Sequence, residues 1–127
     1  MASILLKSIT AGGERKDILI AGGRIAKIAP EGSCIDWDLA GDVEVMECSG
    51  KWAIPGFINM HTHAGMALMR GIGEDMVFQD WIRKIWDIEA GFDYDFVYWS
   101  AKVACIEMIR TGTTTFNDQY WFFQACQ

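Results

Sequence analysis

Short runs of alternating apolar and polar residues open the chain. Ile4 to Thr10 ends on the turn material Ala11-Gly12-Gly13. Asp17-Ile18-Leu19-Ile20-Ala21 and Arg24-Ile25-Ala26-Lys27-Ile28 flank Gly22-Gly23, a two-residue loop able to take the positive φ angles of a tight hairpin. Residues 33–42 carry little periodicity and read as a loop. Val43 to Glu47 alternates again and predicts one more half-buried strand. These pieces predict a small antiparallel sheet over residues 1–54.

The pattern changes after Pro55-Gly56. Phe57 to His63 reads as a strand with bulk on both sides, as expected when both faces are covered. Alternate residues share a face, which groups Phe57, Asn59, His61 and His63. A glycine-containing loop, Arg70-Gly71-Ile72-Gly73, follows, and Arg70 and Asp75 are candidates for an ion pair that clamps it. Phe78, Trp81, Ile82, Ile85 and Trp86 then recur at helical spacing. A second helix is predicted from about Asp95 to Thr111. Val97, Ala101, Ala104, Cys105, Met108 and Ile109 form its apolar stripe, and Gly112 stands at the C-terminal cap. Thr113-Thr114-Thr115-Phe116 is the next strand, ending on Asn117 and Asp118. Strand, long crossover and strand make a parallel βαβ unit over residues 55–127. Two parallel strands cannot cover their own faces, and the chain stops on the apolar run Trp121-Phe122-Phe123. It is therefore expected to be the front end of something longer.

Composition narrows the function classes. Six Trp and seven Phe are core-building material, which argues against disorder. A net charge of −6 opposes binding to nucleic acid, whose phosphates it would repel. No apolar stretch approaches the ~20 residues of a membrane span. The start, Met1 to Lys7, has no basic n-region, so the expectation is a cytoplasmic protein. Cys34, Cys48, Cys105 and Cys126 show no CxxC spacing and are expected to be reduced and structural.

The chain holds two histidines, His61 and His63, both at one place. An His-x-His pair on one strand face sets two imidazoles side by side, at a separation suited to one metal ion. Taken alone, such a pair fits a core or surface role better than a ligand role. Its position changes the odds, because it ends the strand that opens a βαβ unit, where an α/β barrel places its active site.

Here a family resemblance becomes visible. Asp17-Ile18-Leu19-Ile20, Gly23-Arg24-Ile25, Gly50-Lys51, Pro55-Gly56-Phe57-Ile58-Asn59 and His61-Thr62-His63 resemble, in order and spacing, the N-terminus of the amidohydrolase superfamily. The likeness continues through Met66, Leu68, Arg70-Gly71, Asp75, Trp81, Ile85-Trp86, Glu89, Glu107-Met108-Ile109, Gly112-Thr113-Thr114 and Asp118-Gln119-Tyr120. This second set is similar to the subgroup of methylthioadenosine/S-adenosylhomocysteine deaminases and triazine chlorohydrolases. The resemblance implies an α/β fold with added β. A small β-sandwich part (1–54) would precede the first β-α-β portion of a metal-dependent (β/α)8 barrel (55–127), here truncated. It also implies a divalent metal held in part by His61 and His63; zinc suits imidazole best, and iron or manganese accept it too. Glu89 resembles the ligand for substrate hydroxyls, and Trp81 is a candidate wall of the pocket. Asp118 is a candidate support for the metal ligands or a loop cap. Two departures stand out. Asp87 replaces a proline common in the subgroup, which is expected to leave Glu89 less rigidly set. Gly65 after His63-Ala64 is expected to loosen the loop beside the metal.

The implied activity is hydrolytic deamination of an adenosine-type purine or related N-heterocycle by metal-activated water. The chain alone is expected to be inactive, because the remaining ligands and the catalytic acid of the family lie beyond Gln127. The rivals are a chlorohydrolase acting on a triazine-like ring and a non-catalytic truncated or complementing fragment. The expected partners are a small heterocyclic substrate and further copies of the chain, through self-association or a homo-oligomer.

Overall fold

The computed structural model describes residues 3–33, 37 and 41–121, which divide into two units, Met1–Pro55 and Gly56–Gln127. The first holds one sheet. Strands β1 (Ser3–Ala11), β2 (Glu14–Ala21) and β3 (Arg24–Pro30) form an antiparallel meander. Its turns are Gly12-Gly13 and Gly22-Gly23, with φ of 62°, 84°, 59° and 74°. Two consecutive positive φ angles match the twist of the flanking strands, and glycine takes them without strain.

Strands β4 (Val43–Glu47) and β5 (Trp52–Ala53) line the other edge of β1, and both run parallel to it. The all-antiparallel expectation is thereby corrected: the sheet is mixed. A two-residue loop forces its strands to reverse, whereas the connection 31–42 is long enough to return the chain to the same end. Strand β4 is not half-buried either. Only Val43 is partly covered, and Val45 and Met46 stand in solvent. The core lies nearer β1 and β2, where Leu5 packs with Trp37, and Ile9 and Ile18 pack with Cys48. Cys48 and Cys105 are free thiols, as expected, while Cys34 and Cys126 lie outside the described residues.

Asp17 is the one fully buried carboxylate among the described residues of this unit. Its Oδ1 accepts from the Ser8 backbone N–H at 2.9 Å and its Oδ2 from that of Gly32 at 2.8 Å. Ser8 sits at φ 59°, where β1 breaks register between Leu6 and Ile9. Bulged backbone turned inward needs acceptors, and the carboxylate supplies them. Asp17→Ala should orphan both donors and lower stability by about 3 kcal/mol. Urea denaturation checks this, and a loss below about 0.5 kcal/mol would show that water or a shifted loop replaces the carboxylate.

The second unit is built as strand, crossover, strand. Strand β6 (Phe57–Thr62) leads into a 3-10 helix (Ala64–Met69), which the periodicity had not announced. Helices α1 (Phe78–Glu89) and α2 (Tyr94–Arg110) follow, and β7 (Thr113–Asp118) pairs parallel with β6. The Asp93 carboxylate caps α2 by accepting from Phe96 N–H at 2.8 Å. At its other end Gly112 takes φ 89° past the last turn. Burial on α2 falls on Val97, Ser100 and Ala101, whereas Ile109, expected in the apolar stripe, is 73% exposed. Both faces of β6 are open as well, with Phe57 58% exposed on one and Ile58 63% and Met60 69% exposed on the other.

Candidate metal and substrate site

The parallel pairing of β6 and β7 brings the ends of the two strands together, with Thr62 opposite Asp118. Backbone and side chains then lace the two ends. Gln119 N–H donates to Thr62 O at 3.0 Å, and the Asn117 amide donates to Met60 O at 3.2 Å. Asp118 Oδ1 accepts from Ala64 N–H at 2.8 Å and so caps the start of the 3-10 helix, the loop-capping role. Its Oδ2 is buried without a hydrogen-bond partner among the described residues.

The histidines stand at this junction. His63 Nδ1 lies 2.7 Å from the carbonyl oxygen of Gln119. A carbonyl only accepts, so Nδ1 carries the proton and Nε2 presents a lone pair. His61 Nε2 is 3.1 Å from His63 Nε2, within hydrogen-bond distance, with the rings edge to face at 86°. Two nitrogens each about 2.0–2.1 Å from one tetrahedral ion lie roughly 3.3–3.4 Å apart. The two Nε2 atoms are therefore set at nearly the spacing of a shared ion, and the His63 tautomer is the one that ligation requires. Both rings are exposed, so an incoming ion is not obstructed. Among the described residues no third His, Cys, Asp or Glu joins them.

Trp81 and Glu89 lie on α1 and line one cleft with His63, Met66, Ile85 and Tyr120. Its volume is about 530 Å³, the size of a pocket for a small organic molecule. Trp81 is half-buried, and a Cβ at Gly73 would meet its indole at 2.8 Å, so the 71–77 loop lies against the tryptophan. Glu89 accepts from the Tyr120 hydroxyl at 2.8 Å. Helix α1 runs unbroken through Asp87, and the tyrosine supplies an anchor that a proline there was expected to provide.

Two further expectations are corrected. Arg70 does not pair with Asp75. Its guanidinium grips Glu107 on α2 through two bonds, Nη1–Oε1 at 3.0 Å and Nη2–Oε2 at 2.6 Å. A planar fork matches a carboxylate, and one helix face lies within reach. The hydrogen bond from Arg70 holds the Glu107 carboxyl below its ordinary pKa. The pair therefore stabilises the fold above the ordinary carboxylate pKa, and that contribution fades as pH falls through the depressed value. Gly65, expected to loosen the loop, is buried against the Tyr120 ring, which a Cβ there would overlap. It makes room for the tyrosine. Ser100 on α2 adds a second tie by accepting from Leu68 N–H at 3.0 Å.

Gln119, Tyr120 and Ser100 carry roles that the sequence did not assign, and Gly65 carries a different one from that expected. The one available signal was place: Gln119 and Tyr120 directly follow the strand that pairs with the histidine strand, where sites in parallel sheets gather.

Comparison with known proteins gives the family. The model of the Amidohydrolase family matches residues 52–121. The chain is 43% identical over 123 residues to a 5'-deoxyadenosine deaminase of Methanocaldococcus jannaschii, which covers 96% of this chain and 28% of that protein. It is 49% identical over 82 residues to a 5-methylthioadenosine/S-adenosylhomocysteine deaminase of Archaeoglobus fulgidus, covering 64% and 19%. The fold matches an adenosine deaminase from Xanthomonas campestris with bound zinc at a TM-score of 0.77 and 24% identity, over 98% of this chain and 30% of that one. It matches a zinc-complexed atrazine chlorohydrolase from Arthrobacter aurescens at 0.73 and 23% identity, over 97% and 32%. The chain thus spans under a third of the length of these relatives, and its mixed α/β fold resembles the N-terminal portion of amidohydrolase structures. With more than half of its length under the family model, and an His-x-His pair at the end of β6, this chain belongs to the amidohydrolase family.

Proposed function

We propose that this chain supplies the opening segment of a zinc-dependent aminohydrolase for adenosine-type nucleosides. Residues 1–54 would join a β-sandwich, and 55–127 would open a (β/α)8 barrel. The observation that carries the reading is the convergence of two Nε2 atoms at 3.1 Å, with the His63 tautomer set by the Gln119 carbonyl. A divalent ion, when bound, acidifies water and so furnishes the nucleophile for hydrolytic loss of ammonia at neutral pH. His61 and His63 would hold that ion. Glu89 would accept hydrogen bonds from sugar hydroxyls, and Trp81 would wall the side of the cleft.

Deamination is favoured over dechlorination by the relatives. Those at 37–49% identity are named for deamination of 5'-deoxyadenosine or of methylthioadenosine and S-adenosylhomocysteine. Likeness to chlorohydrolases stays at the level of fold, below 25% identity. The test is to fuse this chain to the segment of the Methanocaldococcus jannaschii relative that lies beyond the matched region. With zinc, the fusion should release ammonia from 5'-deoxyadenosine. Chloride release from a chlorotriazine instead, or no turnover of any nucleoside at full metal occupancy, would overturn the proposal. The 127-residue chain by itself should release no ammonia, because two imidazoles fill half of a tetrahedral ligand set.

A further inference from the structure

We infer that Tyr120 is the positioning residue that makes this site discriminate for sugar hydroxyls, by holding Glu89 in one orientation. The inference rests on the aminohydrolase reading above. Glu89 ends α1, and a glutamate at a helix end has three side-chain torsions to lose before it can meet a ligand. The Tyr120 hydroxyl restrains it, at 2.8 Å from Oε1.

The tyrosine is itself fixed. It is 7% exposed and packs on Val97, with Met66, Phe92 and Phe96 around it. Its ring also lies directly on the Cα of Gly65, where no Cβ fits. A phenol donates to a carboxylate, so Glu89 is held as an acceptor only. Its Oε2 meets no donor among the described residues, and Glu89 lines the cleft. A ligand hydroxyl supplies the donor that this oxygen lacks. A carboxylate already oriented binds such a hydroxyl without the entropy of first ordering itself. Tyr120 thus acts on the sugar end of the ligand, through Glu89, and is not a catalytic residue.

The test uses the zinc-loaded fusion with adenosine and 2',3'-dideoxyadenosine as substrates. Tyr120→Phe keeps the ring on Gly65 and Val97 and removes only the hydroxyl. It should raise KM for adenosine about tenfold, the effect of one hydrogen bond to a charged group. The kcat for adenosine and the KM for the dideoxy nucleoside should each move less than about twofold, since the hydroxyl acts before and away from the ring chemistry. Calorimetric binding of inosine and 2',3'-dideoxyinosine should give the same loss of preference without turnover. Glu89→Gln should also lower the preference, and adding Tyr120→Phe to it should cost little more, because the two residues act as one unit. A parental preference retained in Tyr120→Phe, or two losses that simply add, would overturn the role of Tyr120 while leaving the aminohydrolase reading in place. A parental fusion that neither deaminates nor binds either nucleoside would overturn that reading, and this inference with it.

Discussion

Replacing His63 with alanine should strip the fusion of its zinc and of its ammonia release together, while the far-ultraviolet circular dichroism stays unchanged. The ring is exposed, so deletion opens no cavity in the core. The strand ends remain laced by Gln119 N–H to Thr62 O and by Asp118 to Ala64 N–H. What disappears is the Nε2 lone pair, left unprotonated by the Nδ1–H bond to the Gln119 carbonyl, that the proposed site offers to its ion. Loss of a partner that merely orients a ligand costs about 10- to 100-fold in metal affinity or activity. Loss of the ligand itself should exceed that and bring turnover to the level of a metal-free blank. His61→Ala should behave alike, because the proposed site holds its ion through both nitrogens. Elemental analysis decides the matter: full zinc occupancy in His63→Ala would remove this residue from the site.

The second large effect concerns the 127-residue chain on its own. Strand β6 has β7 as its one partner among the described residues, and Phe57, Ile58 and Met60 are each more than half exposed. An apolar strand with an unpaired edge offers backbone donors and acceptors to any similar edge. Apolar surface in water costs about 25 cal/mol per Å², so several hundred Å² amount to ~10 kcal/mol. That rivals the whole stability of a domain, about 5–15 kcal/mol. The isolated chain should therefore self-associate, and at micromolar concentration light scattering should report species well above 14.3 kDa. Asp or Lys at Ile58 and Met60 should shift the distribution toward monomer, since charge on an edge strand opposes pairing. A monodisperse monomer of the unaltered chain with a cooperative melt would refute the argument.

Much of the architecture was legible because its causes are local. The hairpins follow from glycine pairs at positive φ, and α1 follows from a stripe with helical spacing. Helix α2 ended at its glycine cap, and the two parallel strands followed from the crossover length. The His-x-His pair was equally legible, since a period of two and its position in a βαβ unit are both written in the order of residues. Pattern failed where a long connection left the direction of β4 open, and where alternation in Val43–Glu47 suggested a burial that an edge strand does not have.

The sequence by itself determined most of the strands, both α-helices, the family and the placing of the two histidines, but neither the 3-10 helix nor β5. Tertiary structure alone decided how the side chains meet. Tyr120 reaches Glu89 from 31 positions away, and Arg70 reaches Glu107 across 37 rather than Asp75 across five. Gly65 looked like slack in a loop until the ring of a residue 55 positions later was found on it. Propensity and periodicity act over a few residues, through backbone sterics and the repeat of one element. Hydrogen bonds and ring contacts between elements depend on how the chain packs back on itself, and packing is a property of the whole unit.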